Sequence, residues 1–274
     1  MTVLIPTSLA DALDALADHP AADVLAGGTD LMVEVNEGRR RPEAVVVVNR
    51  VPELRTWEHD PIASTVRLGA AVTYDEILRE PLCSLLPALA QAARTVGSPQ
   101  IRHAATIGGN VATASPAGDG LPVLAAVDAV VHLVSRAGRR DVPFTEFMTG
   151  PKRTVLGPGE LIEAVTVPVL DGWQGYAKVG VRNAMVIAIA SACLAVDRPS
   201  GTVRLALGSV GPVIIRCTEA EALAAVDPTA VTRFAELAAA AARPIDDHRA
   251  TAAYRRHAVG VLAGRLLRRA FSDE

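Results

Sequence analysis

"ATIGGNVATASPAGDG" (residues 105–120) contains Gly, Ala, Ser and Thr in abundance, no Lys, Arg or His, and a single acid, Asp119. A shorter echo, "LAGGTDL", stands far upstream at residues 25–31. Consecutive glycines allow positive φ and let a ligand approach the backbone closely. Amide N–H groups that converge in such a turn form an anion nest. One nest suits a phosphate. Two nests from distant parts of the chain would clamp a diphosphate from both sides. Thr29, Thr106 and Asn110 would add neutral side-chain donors. Either pair alone reads simply as a turn, because short motifs match often by chance. Their pairing and polar surroundings favour a ligand.

Two familiar nucleotide motifs are excluded. No GxxxxGK[ST] occurs, so there is no Walker loop with a phosphate-gripping lysine. Neither turn is a GxGxxG opening a helix, which rules out the dinucleotide fingerprint. Diphosphate binding by backbone amides remains, and it suits a bound cofactor better than a nucleotide that is hydrolysed.

The 274 residues are 50% hydrophobic and 21% charged, with a formal net charge of −3, enough chain for a substantial core and one or two domains. This balance gives no bulk attraction to a nucleic-acid backbone. Phe, Trp and Tyr together make up only 3%, too few for stacking platforms on single strands. No apolar run is long enough to cross a bilayer. The N-terminus has no basic region before its apolar residues, so no signal peptide is expected. Cys83, Cys193 and Cys217 are odd in number and scattered, which points to reduced thiols and a cytoplasmic setting. They cannot supply a four-thiolate iron–sulfur site. The six histidines are dispersed, and no metal site is expected.

Periodicity places a capped helix at "TSLADALDALAD" and short strands at "ADVL", "AVVVV" (44–48) and "TVRLGAAVT" (65–73). Thr73 and Glu76 cap "YDEILRE", and a longer helix is expected over roughly 84–96 with Val96 on its apolar side. "GSPQIRHAATIGGN" reads as irregular and turn-rich. Strands follow at 129–135 and 161–169. Strands and helices do not alternate regularly, which favours an α+β fold. Beyond residue 172 the texture changes. "MVIAIASACLAV" (185–196) and "TVRLALGSV" (202–210) read as two strands, followed by three helices. The arginines of the last helix are read as a solvated face, with Arg268 and Arg269 suiting its C-terminus. "RRR" at 39–41 is read as a solvated turn or a docking point for an acidic partner, and His103 as structural. The expected boundaries are 1–172, in two parts of about 1–55 and 56–172, and then 173–274.

From "IPTSLADALDALA", "LAGGTDL", "VVNRVPEL" and "VRLGAAVTYDEI", through "IRHAATIGGNVATASPAGD" and "YAKVGVRNAMVIAIASACL", to "DDHRATAAYRRHAVGVLAGRLLRRA", the chain resembles the FAD-binding medium subunit of the molybdenum hydroxylases. That group includes xanthine dehydrogenase and aerobic carbon monoxide dehydrogenase. The resemblance implies a PCMH-type FAD-binding domain of two subdomains and a smaller α+β C-terminal flavoprotein domain. It implies that Leu25, Ala26, Gly27, Gly28, Thr29, Asp30, Leu31 and Met32 hold the diphosphate and reach toward the flavin. Thr106, Ile107, Gly108, Gly109 and Asn110 would grip it from the other side. Asp119 would contact the cofactor through a sugar hydroxyl, Ile162 would pack on it, and Lys178 would touch the flavin region. Some members carry an aromatic residue where Val96 stands, and valine offers apolar contact only. Asp119 also reads as the acid capping "GLPVLAAV", and Lys178 as an exposed strand lysine.

The same resemblance implies an electron-transfer role in a multi-subunit oxidoreductase. A small subunit would carry two [2Fe–2S] clusters, a large one would carry the molybdenum cofactor, and the heterotrimers would pair. FAD would sit on this chain and pass electrons to an external acceptor. No acid, base or nucleophile is nominated, because the cofactor carries the chemistry. Competing readings are a stand-alone flavin reductase or oxidase, a non-redox nucleotide- or diphosphate-binding module, and an assembly subunit without cofactor.

Overall fold

The computed structural model describes residues 1–272. Asp273 and Glu274, the last two positions of the expected C-terminal domain, lie outside the described residues.

The N-terminal unit runs β1 (Thr2–Leu4), α1 (Leu9–Asp18), β2 (Asp23–Leu25), α2 (Leu31–Asn36) and β3 (Ala44–Val47). Its three strands form a parallel sheet in the order β1-β3-β2. The continuous valine run of β3 fits a central parallel strand, covered on both faces. Ser8 caps α1 by accepting from the Asp11 amide at 3.1 Å. Leu9, Ala12 and Leu16 of that helix pack on Val46 and on Val134 and Leu161 of the next sheet.

That next sheet is antiparallel, ordered β4-β5-β10-β6-β7. Its strands are β4 (Trp57–Asp60), β5 (Thr65–Gly69), β6 (Val130–Ser135), β7 (Gly138–Pro143) and β10 (Leu161–Pro168). Sequence periodicity finds the inner three strands. The edge strands "WEHD" and "GRRDVP" are mostly exposed and carry no apolar alternation. Between β5 and β6 lie α3 (Tyr74–Ile77), α4 (Leu82–Leu85), α5 (Pro87–Thr95), α6 (Pro99–Ala104), α7 (Ile107–Thr113) and α8 (Leu121–Ala126). Thr73 and Glu76 form the expected reciprocal capping box. The single helix expected over 84–96 is two, because Leu86 leaves the helical region before Pro87 restarts it. The stretch read as irregular is two short helices, α6 and α7, each opened by a capping hydroxyl, Ser98 and Thr106. After β7 come α9 (Phe144–Phe147), β8 (Met148–Gly150) and β9 (Arg153–Thr154), a hairpin leading to β10.

The C-terminal unit is a sheet ordered β11-β12-β13-β14, with strands Gly172–Val179, Ala190–Asp197, Thr202–Gly208 and Ile215–Arg216. It is followed by α10 (Thr218–Val226), α11 (Val231–Ala241) and α12 (Ala252–Phe271). Alternate residues of β12 serve two cores. Ala190, Ala192, Leu194 and Val196 face α10 to α12. Cys193 and Ala195, with Tyr176 and Ala206, join the core around α5 and α8. Burial on both faces explains why this strand is apolar throughout. It begins at Ala190 rather than at 185, and residues 180–189 are a loop.

Arg255 corrects the reading of α12 as carrying only solvated arginines. It is 4% exposed and donates to the Ile189 carbonyl at 2.7 Å, the Ser209 carbonyl at 3.0 Å and Asp247 at 2.7 Å. Asp247 also accepts from the amides of Arg249 and Ala250, and these bonds hold its carboxyl down at about 2. Among the described residues, no helix is long and apolar enough to cross a membrane.

Candidate functional site

A cleft of about 640 Å³ opens where the N-terminal unit, α5 to α8, the β8–β10 segment and the loop before β12 meet. That volume falls within the range of sites for small molecules and cofactors. Both Gly-Gly turns line it. Their backbones do different things.

The first turn follows β2 and leads into α2. Gly28 has φ +71°, which a side chain adopts only at a cost. Gly27 is required by close approach: a β-carbon there would lie 1.8 Å from the carbonyl oxygen of Ala104, at the end of α6. This contact docks the first turn beside the second. Thr113 strengthens the junction by donating to Asp30 at 3.1 Å. The amides of Gly27, Gly28, Thr29 and Asp30 donate no hydrogen bond among the described residues, and all four positions line the cleft.

The second turn is the first turn of helix α7, and its amides are all engaged. Ile107 donates to the Val72 carbonyl at 2.9 Å and Gly108 to the Ala70 carbonyl at 2.9 Å. Gly109 donates to the Thr106 hydroxyl at 3.0 Å, and Asn110 to the Thr106 carbonyl at 3.0 Å. The expectation of a second set of open amides is therefore corrected. Gly108 is glycine for packing, since a β-carbon would stand 2.5 Å from that of Ala70. The turn still contributes side chains. Tyr74, buried under α7, donates to Asn110 Oδ1 at 2.7 Å and so turns the Asn110 amide nitrogen toward the neighbouring Gly118.

Asp119 lines the cleft at the start of α8. One carboxylate oxygen accepts from the Tyr176 hydroxyl at 2.8 Å and the other from Lys178 Nζ at 2.8 Å. Burial pushes the Asp119 carboxyl up, and Lys178 and Tyr176 oppose that shift. Burial and the Asp119 charge push the Tyr176 hydroxyl far upward, so it remains a donor. Lys178 is not an exposed strand lysine. Its side chain is 8% exposed, and its ammonium also donates to the carbonyls of Thr95 and Val186, each at 3.0 Å. Three acceptors satisfy its three hydrogens.

Val96 and Ile162 line the cleft as apolar walls. Val96 ends α5, and Arg102 holds its carbonyl at 3.1 Å. Ile162 lies beside the bulge in β10 at Glu163. Of the residues expected at the site, Leu25 to Leu31, Val96, Thr106, Gly108, Gly109, Asn110, Asp119 and Ile162 line the cleft. Met32 lies behind Gly28, Ile107 is fully buried, and Lys178 acts through Asp119 and Val186.

Sequence reading missed three contributors. Met185, Val186 and Ile187 form a wall brought by the C-terminal unit, hidden because the stretch was read as strand. Arg40 and Lys152 bring two cations, which the search for basic residues inside the glycine turns overlooked.

Comparison with known proteins identifies the family and the fold. The model of the FAD-binding domain in molybdopterin dehydrogenase matches residues 1–170, and that of the CO dehydrogenase flavoprotein C-terminal domain matches residues 176–270. The glyceraldehyde dehydrogenase medium chain of Sulfolobus acidocaldarius is 33% identical over 93% of this chain and 92% of its own. Carbon monoxide dehydrogenase from Hydrogenophaga pseudoflava superposes with a TM-score of 0.91 at 31% identity, over 99% of this chain and 97% of that one. Quinoline 2-oxidoreductase from Pseudomonas putida 86 superposes with a TM-score of 0.92 at 25% identity, over 98% and 96%. With an α+β FAD-binding domain, a CO dehydrogenase-type C-terminal domain and a shared cleft, the chain belongs to the FAD-binding medium subunits of the molybdenum hydroxylase family, which are flavoprotein oxidoreductase subunits.

Proposed function

We propose that FAD lies in this cleft with its diphosphate on the open amides of Gly27 to Asp30, and that the chain relays electrons from a [2Fe–2S] partner to an external acceptor. The unbonded amides carry the reading, since half-buried donors without partners, here those of Gly27, Gly28 and Thr29, mark a place for an acceptor. The fit is good in other respects. Gly27 and Gly28 leave no side chain between backbone and ligand, and Val96 and Ile162 give apolar walls for a ring system. When bound, FAD supplies the redox chemistry, accepting and releasing electrons singly or in pairs.

The residues of the chain place and shield. The amides of the first turn hold the diphosphate, and Asn110 adds a neutral donor. Asp119 is held ready for a sugar hydroxyl by Tyr176 and Lys178. Lys178, through the Val186 carbonyl, sets the position of the loop that walls the cleft at Met185 to Ile187. Two acids of the cleft are engaged by protein partners, Asp119 by Lys178 and Tyr176 and Glu160 by Arg140, an arrangement that favours electron transfer over a stand-alone flavin oxidase. Three unpaired cysteines leave the iron–sulfur clusters to a partner and suit the cytoplasm. A large partner would hold the molybdenum cofactor, in a dimer of heterotrimers. Domain limits near 55 and 172 fit the gaps between the three larger sheets.

The visible spectrum of the purified chain tests this. A flavin band, with FAD released on denaturation, is the expected result. A chain that stays colourless with added FAD and with co-expressed partners would overturn the proposal.

A further inference from the structure

Every acid that lines the cleft near the first turn is balanced except Asp30. Asp119 has Lys178, and Glu160 has Arg140 at 2.7 Å. Arg40 grips both oxygens of Asp23 and lies 3.7 Å from Glu34. The Asp30 carboxylate accepts only from the neutral Thr113 hydroxyl. A diphosphate would add further negative charge to this set, and the amides of the second turn are already bonded within the protein.

Among the described residues, Arg40 and Lys152 are the cations that line the cleft. They are held very differently. Arg40 is fixed by a bidentate pair with Asp23. Lys152 has Glu34 as its sole side-chain partner, at 2.5 Å, and its side chain remains 58% exposed. Its backbone is fixed, with φ +55° and its amide donating to the Ala114 carbonyl at 3.0 Å. Lys152 is thus a long, half-free ammonium on a rigid base, reaching across the mouth of the cleft from the β8–β9 hairpin to α2.

We propose that Lys152 is the cation that meets the diphosphate, turning from Glu34 to a phosphate oxygen when the dinucleotide enters. Glu34 is then its resting counter-ion and a competitor for the ligand. The inference rests on the placement of FAD given above. A purely structural strap makes a different prediction, because breaking it from either end would then have the same effect.

The experiment titrates the flavin-stripped, full-length chain with FAD, ADP and riboflavin, in wild type and in Lys152→Met, Lys152→Arg and Glu34→Gln. Lys152→Met is expected to weaken FAD and ADP about tenfold, the scale of one charge-assisted bond to phosphate, and to leave riboflavin unchanged. Lys152→Arg retains the cation and stays within about threefold of wild type. Glu34→Gln frees the lysine and tightens FAD and ADP. Opposite signs for Lys152→Met and Glu34→Gln support the assignment. Equal losses in both, or FAD affinity in Lys152→Met equal to wild type, would overturn it while leaving the FAD site intact. Failure of the wild-type chain to bind either FAD or ADP would remove the FAD placement and this inference together.

Discussion

The two Gly-Gly turns look alike in sequence, and the fold uses them in opposite ways. At Gly27 and Gly28, which line the cleft, the backbone leaves its amides unbonded. At Gly108 and Gly109 the amides are bonded to Ala70 and Thr106, and the missing side chain lets two segments touch. The first is a turn that can receive a ligand. The second is a joint that holds the cleft's floor to the segment 70–74. Glycine pairs therefore report close approach in both cases, but only the hydrogen-bond partners tell whether the neighbour is protein or ligand.

The largest expected effect comes from filling the joint. Gly108→Val would press side-chain carbons into Ala70, where even a β-carbon stands at 2.5 Å, and the loss of stability should be about 3 kcal/mol or more. Urea unfolding of the chain measures it. A stable, well-folded Gly108→Val protein would show that the joint yields. Gly28→Ala is next. A β-carbon there meets only the side chains of Met32 and Leu25, at 3.2 and 3.3 Å, so the cost is mainly the left-handed φ, about 1–2 kcal/mol. This variant should weaken FAD more than it weakens the fold, the reverse of Gly108→Val, and paired titration and unfolding curves decide it.

Thr106→Ala removes the cap of α7 and should lower stability by about 1 kcal/mol, again read by unfolding. A further effect concerns pH and lies away from both turns. The Asp247 carboxyl is depressed to about 2 by its amide bonds and Arg255. A depressed acid adds stability above its ordinary range near 3.8, and the contribution fades as pH falls through about 2. Asp247→Asn should flatten the stability curve across that acid window. An unchanged acid limb would place the pH dependence elsewhere.

Much of this was legible in the sequence. The capping pairs Ser8–Asp11 and Thr73–Glu76 and the apolar, β-branched strand β10 announce themselves through local chemistry. The edge strands β4 and β7 do not, because solvent on both sides leaves no apolar pattern. The helices α6 and α7 escaped notice since each is short and rich in residues typical of turns. The proximity of the two glycine turns is expected from their pairing and polar context as well as from the resemblance, and its physical agent is Gly27 against Ala104. Nothing local distinguishes an open amide from one bonded to Ala70, a residue 38 positions away from Gly108 in sequence. The cations at the cleft mouth were missed for the same reason. Lys152 meets Glu34 only after the chain has folded across 118 residues.

The most direct measurement is amide hydrogen exchange of the purified chain with and without FAD. Gly27 to Asp30 are expected to exchange readily in the free chain and to become protected when FAD binds. Ile107 to Asn110 should be slow in both states, because their partners are internal. Protection gained at residues 107–110, with 27–30 unchanged, would contradict the assignment of open and closed turns.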